Sequence, residues 1–456
     1  MGAVRVPADR YWGAQTQRSL ENFAIGADRM PAEIHHAFGH VKKAAARVNG
    51  DARRLPRWKA DLIARVADEV IAGELDDHFP LCLWQTGSGT QTNMNVNEVI
   101  GNRAIQLAGG ELGSKAPVHP NDDVNMGQSS NDTFPSAMHI AAVRAMNERL
   151  LPQARALRAT VAGRAGRWHA VVKTGRTHLQ DAVPLTVGQE WSGYAAQLSA
   201  GIDAIERSQD GLYELAAGGT AVGTGLNAPP GFGAAVAERI AEQTGYPFRT
   251  AQNKFAALAG ADAMVAASAG LRALAVAAMK FANDIRWLAS GPRCGLGELI
   301  IPPNEPGSSI MPGKVNPTQC EAMIMVCVQV LANDTAVATG ASHGNFELNT
   351  MRPLIAGNFL RSAAILGDAC GSLNAHCVEG TELNSGRIDD LVGRSLMLVT
   401  ALSPAIGYDK AAQIAHRADA EGTTLREAAV ASGYISERDF DRVVDPSLMT
   451  GEGRGM

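Results

Sequence analysis

The stretch that most limits how this chain can fold is NPTQCEAMIMVCVQVLANDTAVATG, residues 316 to 340. Its opening carries the marks of a helix start, with Asn316 as cap, Pro317 as first helical residue and Gln319 at the third position. From Ala322 onward it is apolar nearly all round, so no face is polar enough to meet water. Such a helix is predicted to lie at the centre of a bundle or of an oligomer. A single copy of the chain would expose too much of it.

Other long segments point the same way. One begins near Asp132, where Ser-Asn-Asp offers caps and Pro135 suits a first turn, and runs through Met138, Ala141, Ala142 and Met146 toward Leu151. Another opens at Thr186, whose spacing to Gln189 makes a capping box, and continues through Trp191, Tyr194, Leu198, Ile202 and Ile205 at helical intervals. Residues 262–289 and 358–378 add two further helical regions. Aromatic residues make up only 5% of the chain, while Ala, Leu, Met and Val dominate the long segments, a balance that favours helices over sheets. The fold class is therefore mainly α, built on a bundle of very long helices. Changes in composition mark three regions, residues 1–128, 129–385 and 386–456.

Composition also excludes several functions. The 456 residues, 46% of them hydrophobic, are enough to bury a large core, and ~150 residues per domain suggests roughly three domains. The net charge is -5 with Lys and Arg scattered, so no footprint for nucleic acid or an anionic membrane is visible. The six cysteines form no CxxC pair and the N-terminus has no apolar signal core, which predicts free thiols and a cytoplasmic location. No stretch approaches the ~20 apolar residues that span a bilayer; even the run from Ala322 to Ala332 is broken by Gln329. The expected protein is soluble.

Two phosphate-binding readings fail on residue counts. In GSSIMPGK five residues separate Gly307 from Gly313 and Val315 follows the lysine, against the G-x-x-x-x-G-K-[ST] template. GSGTQT, residues 87–92, places Thr92 where a dinucleotide fingerprint needs its third glycine. What remains is four polar loops of small residues, each leading into a helix: 86–95, 119–133, 175–181 and 307–317. Any one could serve only as caps. Several helix N-termini converging on one point, with their unpaired N–H groups and partial positive charge, make a receptor for a small dianionic organic acid.

Within these loops His178 is flanked by Thr177 and Gln180, which suits an imidazole acting as acid or base, though a lone histidine is more often structural. Lys314 could point into a site or be a solvated surface lysine. Glu321 falls in the first turns of the apolar helix, where an unpaired carboxylate would be costly, and His178 is a candidate partner.

Taken together, TGSGTQTNMNVNE, HPNDDVNMGQSSNDTFPSAMHIA, GRTHLQDAVPLTVGQE and GSSIMPGKVNPTQCEAM closely resemble the loops of the class II fumarases, within the fumarase/aspartase superfamily. The likeness runs from GAQTQRSLENF, residues 13–23, to about Pro446. The tail TGEGRGM departs from the family pattern, and NFELNTMRPLIAGNFLRS differs in detail, which is expected to bear on packing.

The resemblance implies a fumarase/aspartase-like fold in which a central bundle of long helices is flanked by two smaller domains. It implies a homotetramer whose active sites are each shared among three subunits. It makes Ser308 the base that removes the C3 proton of malate, and His178 the residue that works with water or hydroxyl at C2, with Glu321 as its carboxylate partner. Lys314 and Asn316 would bind and polarise the substrate carboxylate. Ser88, Thr90, Ser129, Ser130, Asn131, Thr177 and Ser309 would be further substrate-binding positions. His119, Asn121 and Asp122 would form a second dicarboxylate site. No metal and no organic cofactor is implied.

The chemistry explains these residue types. Removing a proton beside a carboxylate creates a dianionic aci-carboxylate, so donors and positive charge must stand where that charge develops, and Lys314 and the helix N-termini supply them. Serine is a poor base unless its alkoxide is stabilised, for which N–H groups beside Gly307 and Ser309, with Lys314, are the candidates. Hydroxide departure needs a general acid on the other face, the role given to His178. Two other activities stay open at this point: ammonia addition to fumarate, and an inactive structural protein that retains the lyase fold.

Overall fold

The structure, a computed structural model, describes residues 2–451. The end of the TGEGRGM tail, residues 452–456, lies outside the described residues. Helices dominate, as the composition predicts, and among the described residues every sheet is two-stranded. The chain forms two compact units. The first gathers the residues up to Pro152 with Gly201–Ala275 and Val326–Asp368; the second gathers Gln153–Ala200, Val276–Met325 and the residues from Ala369 onward.

The first unit is built around three helices: α1 (Ala32–Asp51), α2 (Thr90–Leu107) and α3 (Ser130–Arg144). In α1 the residues Ile34, Phe38, Val41 and Ala45 recur at helical spacing and are fully buried, each large one contributing about 2 kcal/mol of apolar burial. The start of α3 lies at Ser130, two residues before the expected Asp132. Its cap is Ser129, which exchanges hydrogen bonds with Asp132 in a capping box. Pro135 consequently sits inside the helix rather than in its first turn.

In the second unit an antiparallel hairpin of β1 (Val172–Thr177) and β2 (Gln180–Thr186) feeds directly into α4 (Val187–Ser208). The predicted Thr186–Gln189 capping box is present, with Gln189 N–H donating to Thr186 Oγ1 at 3.0 Å and Thr186 N–H to Gln189 Oε1 at 2.9 Å. Trp191 packs edge-on against Trp168 and Phe281 and is fully buried. The C-terminal region has its own apolar cluster around Leu402, Ile414, Ala429 and Phe440.

Three more long helices complete the set: α5 (Asp262–Leu288), α6 (Thr318–Ala341) and α7 (Arg352–Leu373). The expected cap of α6 does not form. Asn316 spends its side chain on Lys314 and on the Gly307 carbonyl, and Gln319 accepts from Ser372, so neither reaches the helix end. The first helical bond runs instead from Glu321 N–H to the Pro317 carbonyl.

The expectation that no segment could span a bilayer also needs correction, because α5 and α6 are both long and apolar enough by length and composition. Their polar residues, however, bond to protein. In the first unit Asp334 accepts from Ser268 and Arg272, both at 2.7 Å, and Asn333 donates to Ser362 at 2.9 Å, as in a core helix fixed in register by buried polar pairs. Met325 and Val328 of α6 remain exposed, at 67% and 54%.

Candidate active site

In the first unit, Gly87 and Gly89 shape the loop that carries Ser88 and Thr90. A Cβ on Gly87 would lie 1.4 Å from the Thr350 carbonyl oxygen, and Gly89 caps α2 at φ +74 against the Phe134 ring, so neither position admits a side chain. Ser88 is half-buried between them. Thr90 Oγ1 lies 2.8 Å from Ser130 Oγ, so the structure brings these two expected site residues together. Asn131 donates from Nδ2 to the Ala221 carbonyl at 2.8 Å, and Ser129 Oγ accepts the Asn131 N–H at 3.2 Å.

Behind this group stands Asp132, buried, with Oδ1 accepting the Ser129 N–H at 3.0 Å and Oδ2 those of Gly218 and Thr220 at 2.9 and 2.8 Å. Burial raises its carboxyl pKa, and the three N–H donors oppose that rise. Lys42 of α1 is also wholly buried behind the site, and burial lowers its ammonium to about 7. Lys42 does not stand out in the sequence, because it lies inside a helix and a lysine gives no sign of burial without its neighbours. The Asn93 it binds falls within the expected loop 86–95, which is helical from Thr90 onward.

His119 caps a short π-helical turn, Pro120–Val124, by accepting from the Asn121 and Asp122 N–H groups at 3.2 and 3.0 Å. It lies with Asn121, Arg10 and Lys115 on a cavity of about 330 Å³.

In the second unit the expected loop at 175–181 is the tip of the hairpin. Thr177 ends β1, and His178 and Leu179 both adopt positive φ, +57 and +60, the conformation of a tight two-residue hairpin turn. A histidine and a leucine held there store local backbone strain. Beneath the turn, Glu298 is paired with Lys173 at 2.9 Å and with Arg176 at 2.8 Å, and Lys173 also reaches Glu190 at 2.7 Å. His178 itself is exposed.

The Gly307–Asn316 loop closes on itself. A Cβ on Gly307 would fall 1.9 Å from the Lys314 carbonyl oxygen, and Asn316 Nδ2 donates to the Gly307 carbonyl at 2.7 Å. Ser308 Oγ accepts the N–H groups of Ile310 and Met311, at 3.3 and 3.1 Å. The Ile310 N–H is the expected donor beside Ser309, while the second donor is the Met311 N–H rather than a group beside Gly307. Lys314 Nζ is bound to Asn316 Oδ1 at 2.6 Å. Ser309 is exposed beside them.

Lys314, Asn316 and Glu321 line one cavity of about 650 Å³ with Arg286, Ser290 and Asn384. Glu321 is exposed in the chain, so the expected burial penalty does not arise, and no hydrogen bond or ion pair joins it to His178 among the described residues. Among those residues no group of three or more His, Cys, Asp or Glu is gathered as metal ligands would be.

The Gly307–Asn316 loop thus gathers a serine, a lysine and an amide on a glycine-pinned backbone. Residues 2–332 match the family described as Lyase, and residues 398–451 that described as Fumarase C C-terminus. The chain is 65% identical to the class II fumarate hydratase of Methanosarcina acetivorans, over 100% of this chain and 94% of that one. It is 59% identical to the mitochondrial fumarate hydratase of Rhizopus oryzae, over 98% of this chain and 91% of that one. The crystal structure of a recombinant class II fumarase from Schistosoma mansoni superposes with a TM-score of 0.96 at 44% identity, covering 98% of this chain and 97% of that one. By its fold and these matches the protein is thus a helical-bundle lyase. Within that class, it belongs to the class II fumarate hydratase family.

Proposed function

We propose that this chain is a hydro-lyase that catalyses the reversible hydration of fumarate to (S)-malate, by anti addition through an aci-carboxylate, as in the tricarboxylic acid cycle. Ser308 is the base. The observation that carries the mechanism is that its oxygen already receives two backbone N–H groups, the kind of donors that stabilise an alkoxide. In the malate-to-fumarate direction Ser308 takes the C3 proton, and the electron pair moves into the adjacent carboxylate. Lys314, released from Asn316, and Asn316 itself meet the charge that develops there. The pair then returns to form the double bond as hydroxide leaves C2, protonated by His178 through a water.

Ser88, Thr90, Ser129, Ser130, Asn131, Thr177 and Ser309 hold the substrate carboxylates, and Glu321 orients His178. His119, Asn121 and Asp122 form a second dicarboxylate site. Because His178 and Glu321 are unlinked in one chain, the proposal includes a homotetramer in which three subunits complete each site. The exposed Met325 and Val328 of α6 support it. The reaction as written needs no metal or organic cofactor. A cytoplasmic location away from membranes and nucleic acid, and a three-part division at residues 128 and 385, belong to the same reading.

The test is a paired assay following fumarate absorbance with malate or aspartate as substrate, with and without chelator. Turnover of malate that chelator leaves unchanged is expected. Robust turnover of aspartate alone would replace the hydratase reading with an ammonia-lyase.

A further inference from the structure

The first unit keeps a cation behind the place where a dianion is expected. Lys42 Nζ, wholly buried, donates to three amide oxygens: Asn93 Oδ1 at 2.7 Å, Asn125 Oδ1 at 3.0 Å and Gln128 Oε1 at 3.0 Å. No ion pair neutralises it among the described residues. The carboxylate whose charge acts on it, Asp132, has its own oxygens committed to the N–H groups of Ser129, Gly218 and Thr220. A buried ammonium touched only by amide oxygens, with its one acting carboxylate held by other donors, is favoured by a further negative charge arriving from outside.

The hydrogen bonds add direction to that charge. An ammonium only donates, so each of the three amides must turn its oxygen to Lys42. Asn93 therefore turns its nitrogen the other way, and Nδ2 donates to Ser130 Oγ at 2.9 Å. Ser130 Oγ lies 2.8 Å from Thr90 Oγ1. The two hydroxyls carry two protons and share one between them. With Ser130 also accepting from Asn93, the other proton is left to point outward. The pair is thus set as a donor, which is what a carboxylate requires.

We propose that Lys42 is a positioning residue and buried counter-charge for the substrate dicarboxylate: through Asn93 it orients Ser130 and Thr90 as donors, and a substrate carboxylate balances its charge. This rests on the fumarate hydratase reading and adds to it a residue that does not touch the substrate. Burial lowers the ammonium to about 7, and Asp132 opposes that fall. Binding of an anion would favour the charged form.

The test compares the wild-type chain with Lys42→Met, which keeps the stem and removes the charge. The KM for malate is expected to rise at least about tenfold, while kcat changes by less than about threefold. The inhibition constant of succinate, a dicarboxylate, should rise with KM, while that of butyrate, with one carboxylate, stays within about twofold. Equal losses for both inhibitors, or an unchanged KM with only a lower melting temperature, would overturn the proposal. Should Lys42→Met fail to fold by circular dichroism, Asn93→Ser leaves the ammonium in place and breaks the relay. A raised KM is then expected, and an unchanged one overturns the assignment. If the wild-type chain does not turn over malate, the hydratase reading fails. Calorimetric binding of succinate to wild type and variant still decides the role of Lys42.

Discussion

The Lys314 ammonium lies 2.6 Å from Oδ1 of Asn316, whose Nδ2 donates across 2.7 Å to the carbonyl of Gly307. One amide therefore closes the base of the loop and holds its only ammonium in place. Asn316→Ala removes both bonds at a half-buried position with no core packing to lose. We expect kcat/KM for malate to fall by about 10²- to 10³-fold, as when one charge-stabilising donor is deleted, with the melting temperature unchanged. Initial rates within about threefold of wild type would show that the loop base is not held by this residue.

Ser308→Ala deletes the oxygen that the Ile310 and Met311 N–H groups meet. The loop is exposed at both donors, so water replaces the lost acceptor and stability should change by less than about 0.5 kcal/mol. Turnover should drop by about 10³-fold or more while the oligomer persists. Near-normal rates would refute the base assignment.

Two glycines of this loop separate shape from flexibility. A Cβ at Gly307 would meet the Lys314 carbonyl oxygen at 1.9 Å, whereas one at Gly313 meets nothing within 4 Å and only strains a φ of +80. Gly307→Ala must open the loop base and is expected to lose most activity. Gly313→Ala should retain most of it, at a local cost of about 1–2 kcal/mol. Side-by-side rate measurements decide the point, and equal retention in both variants would mean that the closed base is not needed.

These contrasts show what the sequence made legible. The long helices could be read because their signals are local: the Thr186–Gln189 box needs only two residues at the right spacing, and both bonds are present. The Asn316–Gln319 cap looked equally good, but Gly307, nine residues away, claims the Asn316 amide. Residues 175–181 read as a loop because hairpin turns are recognised by glycine or asparagine at positive φ, and here His178 and Leu179 occupy those positions. Lys314 could be singled out because a lone lysine in a glycine-rich loop attracts notice, whereas Ser308 and Thr90 are reached through the resemblance of their loops to those of the class II fumarases. Lys42 could not be singled out, because only the fold reveals that it is buried against Asn93.

Asp132 joins three backbone N–H groups, those of Ser129, Gly218 and Thr220. An amide at this position offers one acceptor oxygen and turns an NH₂ group toward the remaining donors. Asp132→Asn should therefore leave at least one buried N–H unpaired and destabilise the protein by about 2 kcal/mol. Because the same contacts fix Ser129 at the start of α3, KM for malate should rise as well. Denaturant unfolding together with steady-state kinetics tests both effects, and an unchanged midpoint would show that the amide repacks.

Two buried imidazoles, His35 and His40, and the half-buried His139 give the first unit a defined acid sensitivity. Burial pushes His35 down to about 3, His40 to about 4 and His139 to about 4. Each is neutral when folded at pH 5, but in the unfolded chain its pKa returns to about 6.5 and it takes up a proton. The unfolded state therefore binds more protons as pH falls. The stabilisation is fully present above about pH 6.5 and is lost progressively toward pH 4 and below, by up to about 1.4 kcal/mol per pH unit for each imidazole. His35 offers the cleanest test. Its ring stacks on Phe79 at 4.4 Å and its Nε2 has no partner, so His35→Phe keeps the stacking and forfeits no hydrogen bond at that atom. Urea unfolding at pH 7 and pH 5 should show a smaller loss of stability for the variant than for wild type, by the slope of about one proton. Equal losses in the two proteins would mean that His35 is charged in the folded state.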